Sequence, residues 1–147
     1  MTRRLAYHEA GHAVLGARFG AKLECAQISD AGGSMLFDEA FDALGLLQVA
    51  IIHLAGLAAE GRACGHAERD LAAEDLAKTR EVVSASVNLD PDAPAVDEHI
   101  MRIEALTDSY VATLWPNIEQ VAEALLRSGT LAGPELTRLL IPKRQCI

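Results

Sequence analysis

His8 and His12 bracket the pentapeptide His8-Glu9-Ala10-Gly11-His12. On a helix that spacing stacks both imidazoles on one face, within reach of a single ion. Glu9 lies one step round from that face. Its carboxylate cannot easily join the same ligand pair, but it can hydrogen-bond a water at the ion's open position and take its proton. The chemistry this suits is metal-assisted hydrolysis with a carboxylate base. Two surface histidines on an amphipathic helix would give the same spacing. Against that reading, the small and apolar neighbours Ala10, Gly11, Ala13 and Val14 suit a buried helix, where an imidazole pair without a partner would be costly.

A hydrolytic zinc site takes three protein ligands and keeps one position open, so one more side chain is required. His53, Glu60, His66, Glu68, Asp70, Glu74 and Asp75 all qualify on chemistry, and spacing does not choose among them. A structural zinc would instead take four protein ligands, often thiolates, and a contribution from Cys64 or His66 would be its mark. The alternative function is therefore a non-proteolytic, metal-binding interaction module. Glu9 argues for catalysis, because holding a structural metal does not need it.

The elements that must position these groups read as helices. The first runs from about Thr2 to Phe19, with Gly20 placed to end it. Lys22 to Phe37 reads as a hairpin turning through Ser29, Asp30, Gly32 and Gly33. A second helix is expected over Asp38 to Gly61 and a third over Glu68 to Val87, with a loop from Asn88 to Ala95. Ile100, Ile103, Leu106, Tyr110 and Leu114 mark a fourth helix that Pro116 must break or kink. A fifth covers Asn117 to Arg127, and Pro134 opens a last short helix through Ile141. The expected fold is mainly α with a small β-hairpin or sheet, an α+β class, in a single domain spanning residues 1–147.

Composition narrows the partners. The chain carries 13 basic and 21 acidic residues, a formal charge of −8, and its cations are scattered. No stripe exists to neutralise phosphates, so nucleic acid is not expected. Cys25, Cys64 and Cys146 are an odd, widely spaced set, which argues against a disulfide framework and for a reducing compartment. No signal-peptide core follows Arg3-Arg4, because His8, Glu9 and His12 interrupt it; a cytoplasmic location is expected. The apolar stretch from Ala43 to Ala59 contains Gln48 and His53 and is marginal in length for a membrane span, so it reads as a core helix.

Several segments, in order along nearly the whole chain, resemble one family. Ala6-Tyr7-His8-Glu9-Ala10-Gly11-His12-Ala13-Val14 is similar to the opening of the peptidase domain of the FtsH-type ATP-dependent zinc proteases. Leu54-Ala55-Gly56-Leu57-Ala58-Ala59-Glu60 resembles that family's Leu-Gly-Gly-Arg-Ala-Ala-Glu helix. Asp70-Leu71, with Ala77, Val82 and Val83 behind it, resembles its Asn-Asp-Leu segment, and Leu125 to Leu131 with Glu135-Leu136 and Leu139-Leu140 resembles its closing helices. The resemblance implies a zincin-like helical peptidase domain that binds Zn2+ through His8, His12 and Asp70, uses Glu9 as general base and cleaves polypeptides. Arg69 stands where the family has Asn, and the connection from Glu60 is shorter than the family's, which leaves His66 and Glu68 open as third ligand. The family is ring-forming, which implies a homo-oligomer. No glycine-rich phosphate loop occurs in the sequence, so unfolding of substrates would fall to a separately encoded ATPase.

Overall fold

The computed structural model describes residues 2–69 and 72–140. Among the described residues six α-helices and three strands occur in the order α1 (Thr2–Arg18), β1 (Leu23–Ser29), β2 (Gly32–Phe37), α2 (Leu46–Cys64), α3 (Ala73–Val87), α4 (Pro94–Thr113), α5 (Trp115–Ser128), β3 (Thr130–Ala132) and α6 (Gly133–Leu140). The fold is α+β, as its sequence pattern predicts.

α1 is the hub, because its sequence from Leu5 to Gly16 is buried on all sides and packs against α2, α5, β1 and β2. Small residues make this possible. A Cβ at Gly11 would collide with the backbone carbonyl of Ala55 and come within 2.9 Å of the Ala59 methyl, so the α1–α2 crossing is closed by the absence of a side chain. Around it, Leu15, Ile52, Ile118, Leu125 and Leu131 form the main core. A separate small cluster of Ala50, Val83 and Val96 fixes α3 and α4 onto α2.

The hairpin forms as expected, with β1 and β2 antiparallel from Leu23↔Phe37 to Ser29↔Gly32. A bulge between Leu23 and Cys25 resets the alternation so that Leu23, Ala26 and Ile28 all face the core. β3, which the pattern of three residues could not reveal, adds to the other side of β1 through Cys25↔Ala132 and Gln27↔Thr130. The sheet order is β2-β1-β3, leaving β2 at an edge.

Several helices differ from their expected bounds. The one expected over Asp38 to Gly61 is split, because Asp38 caps only a short 3-10 turn over Glu39–Ala43, and Leu44 and Gly45 are extended before α2 begins. The one expected from Glu68 begins at Ala73, and the Glu68 amide before it donates to the Glu60 carboxylate at 2.9 Å. Pro94, read as loop, opens α4 from its first turn, where its missing N–H costs nothing. Likewise Pro116 lies in the first turn of α5, after a break at Leu114. α2 is long and apolar enough, by length and composition, to cross a membrane; here 44% of that stretch is buried, and the helix packs against α1, α3 and α4.

Candidate metal centre

α1 presents Arg4, His8 and His12 at successive i, i+4 positions, all toward α2 and the start of α3. Both histidine rings are oriented from behind. His12 Nδ1–H donates to the Ile52 carbonyl at 2.6 Å, and His8 Nδ1–H donates to the Glu60 carboxylate at 3.3 Å. Those partners accept only, so each ring carries a proton on Nδ1, and whenever the ring is neutral its lone pair lies on Nε2. The two Nε2 atoms then sit 3.1 Å apart, and Asp75 Oδ2 lies 3.0 Å from the first and 3.2 Å from the second. Three lone-pair atoms thus face one point.

Such a triangle is repulsive unless a cation occupies its centre or protons bridge its edges. Ligands at about 2.0–2.1 Å around a tetrahedral ion are roughly 3.3–3.4 Å apart, close to the spacing observed. The donor set, two imidazoles and a carboxylate, fits a divalent transition metal with an open position. Asp75 projects from the first turn of α3, where the helix dipole favours its negative charge. Its other oxygen, Oδ1, faces His53 Nδ1 at 3.6 Å. Gly56 completes the enclosure. A Cβ there would lie 2.5 Å from His12 Nε2 and 2.8 Å from His8 Nε2, so α2 approaches the pair only because that position has no side chain.

Glu9 is 6% exposed and lines the same cleft of about 800 Å3 as His8, His12, His53 and Asp75. Burial raises its carboxyl above the ordinary 4.5, with His12 and His8 pulling down and Asp75 adding to the rise. A proton acceptor moved toward neutral pH is suited to general-base work. Gly33 on β2 lies directly over it, since a Cβ at Gly33 would collide with the Glu9 carboxylate. β2 residues Gly32 to Phe37 form one wall of the cleft, and the sheet's free edge therefore runs beside the candidate base.

His8, His12 and Glu9 are brought together as their spacing predicts. Asp70 lies outside the described residues. The carboxylate seen at the histidine pair is Asp75, one of the seven side chains competent on chemistry. Its signal in the sequence is a repeated dipeptide, for Asp75-Leu76 follows Asp70-Leu71 five residues later and lengthens the connection from Glu60. The alternatives His66 and Glu68 turn elsewhere. His66 Nε2 accepts from Arg4 Nη2 at 2.9 Å, and Glu68 Oε1 lies 3.6 Å from Arg4 Nε. Cys64 is not part of the cluster. No protein-family model and no curated protein matches this sequence, so the geometry carries the functional argument.

Proposed function

We propose that this chain is a zinc-dependent metallopeptidase that hydrolyses peptide bonds in flexible or unfolded polypeptides, with Glu9 as general base. The observation that carries the reading is the buried Glu9 carboxylate in the same cleft as the His8–His12–Asp75 triangle. A hydrolase needs that acid beside its metal; a structural metal site does not. Two histidines and one carboxylate also suit Fe(II) sites that activate oxygen, but such a site has no use for an adjacent buried base.

When bound, the ion would polarise the scissile carbonyl and acidify a water. Glu9 accepts the proton of the attacking water and delivers it to the leaving amine. His8, His12 and Asp75 hold their donor atoms still through Glu60, the Ile52 carbonyl and His53, so little reorganisation accompanies the reaction. The β2 edge offers backbone groups that can pair with an extended peptide, laying it across Glu9. This reading agrees with the resemblance to FtsH-type peptidase domains. With it go a cytoplasmic location, a homo-oligomeric assembly and a separately encoded ATPase as partner for folded substrates.

The test is digestion of an unstructured polypeptide by zinc-loaded protein, with products identified by mass spectrometry. Glu9→Gln should retain its metal and lose on the order of 10²–10⁴ in rate. A Glu9→Gln protein that cleaves like wild type would remove Glu9 from the chemistry.

A further inference from the structure

Arg4 stands one helical turn before His8 and is not a ligand, yet its guanidinium gathers four groups around the back of the metal centre. Nη1 donates to Glu60 Oε1 at 2.8 Å and to the His66 carbonyl at 2.8 Å, Nη2 donates to His66 Nε2 at 2.9 Å, and Nε lies 3.6 Å from Glu68 Oε1. Glu60 is 1% exposed, and this buried carboxylate has its two oxygens divided between two tasks. Oε1 takes Arg4 and the Glu68 amide; Oε2 takes His8 Nδ1–H.

We propose that Arg4 is a positioning residue for the metal centre, acting on His8 through Glu60 and on the connector from α2 through the His66 carbonyl. This rests on the metal-site reading above. Arg4 and the Glu68 amide pin Oε1, so the carboxylate plane cannot turn and Oε2 stays where it orients the His8 ring. Removing the guanidinium leaves a buried carboxylate without its cation and frees that plane to rotate. The same guanidinium also holds His66 and Glu68, in the connection that leaves α2. His8 is held to Arg4 through one intervening carboxylate. Only a planar fork reaches the carboxylate, the carbonyl and the imidazole together; a lysine ammonium is a single point of charge.

The experiment measures zinc affinity in the full chain by competition with a chromophoric chelator, alongside the visible spectrum of the cobalt-substituted protein. Arg4→Ala should bind zinc about 10–100-fold more weakly than wild type, the usual range for loss of an outer group behind a ligand, with an altered cobalt band shape. Arg4→Lys should recover only part of the affinity. Arg3→Ala, which removes the neighbouring cation stacked on Tyr7, should bind zinc as wild type does. Wild-type affinity and an unchanged cobalt spectrum in Arg4→Ala would overturn the assignment. Should Arg4→Ala fail to fold, Arg4→Lys decides: full wild-type affinity there would refute the need for the fork. A wild-type protein that takes up no metal would instead defeat the metal-site reading itself.

Discussion

Asp75 and His12 set each other's charge in the ion-free protein. Burial disfavours the Asp75 carboxylate, yet hydrogen bonds from His12 and His8, with His53 close by, hold its carboxyl far below the ordinary 3.8. Burial also works against charge on His12, but the bond to Asp75 and the nearby Glu9 outweigh it and raise the ring above 6.5. A histidine raised by folding contributes stability that is complete below its unfolded value and lost as pH climbs through the folded one. Glu9, raised mainly by burial above 4.5, acts in the same sense, favouring the fold most at low pH. Asp75 does the opposite, its contribution present above about 3.8 and lost only in stronger acid. Ion-free wild type should therefore lose stability as pH rises above 6.5, more steeply than His12→Ala, in urea midpoints taken across pH. Equal slopes would deny the pairing. Metal content separates the two aspartates: Asp75→Ala should lose the ion and Asp70→Ala should keep it, and the reverse would return the ligand to Asp70. The histidine pair was legible from four-residue spacing alone. The place of Asp75 beside the pair was not, because it was one of seven side chains competent on chemistry and packing decides which carboxylate of another element reaches the pair.

At the scale of elements, the centre depends on how closely α1 and α2 cross. Two glycines govern this, and they should fail differently. Gly11→Ala places a methyl against the Ala55 carbonyl and the Ala59 side chain, so the helices must separate. Overpacking of this kind costs roughly 1–3 kcal/mol, which thermal melting should report in the ion-free protein as a drop of a few degrees or more. Gly56→Ala puts its methyl against both Nε2 atoms, where the ion would sit. Metal binding should vanish in Gly56→Ala, as read by chelator competition. Intact zinc affinity there would mean that the three donor atoms do not converge as described. Helix existence was plain from apolar spacing and, for α1, from Gly20, which lies at positive φ just past its end. Less plain were the places where tertiary bonds override local preference. Glu68 gives its amide to Glu60 ahead of α3, which starts at Ala73, and β3 pairs along the edge that β1 offers it. Neither bond leaves a trace in local pattern.

The whole molecule divides its packing unevenly across the centre. α1, α2, α5, α6 and the sheet share the main core, to which α4 adds Val111, whereas α3 rests on α2 and α4 through the small cluster of Ala50, Val83 and Val96. His8 and His12 belong to the first body of packing and Asp75 to the second, so a bound ion crosses between them. Ion binding should therefore stabilise the fold, and should do so locally. At a free concentration 100 times its dissociation constant, a ligand specific for the folded state adds about 2.7 kcal/mol. For a domain of this size each kcal/mol shifts the melting temperature by about 2–4 °C, so zinc should raise it by roughly 5–11 °C. Hydrogen exchange should place the gain. Amides in the first turns of α3, around Asp75 to Thr79, should slow on zinc addition at constant pH, while amides in the middle of α5 should change little until global opening dominates. Asp75→Ala should erase both effects. Slowing confined to α5, or no slowing with zinc bound, would mean that the ion does not join α3 to the histidine helix, and the carboxylate would have to come from elsewhere.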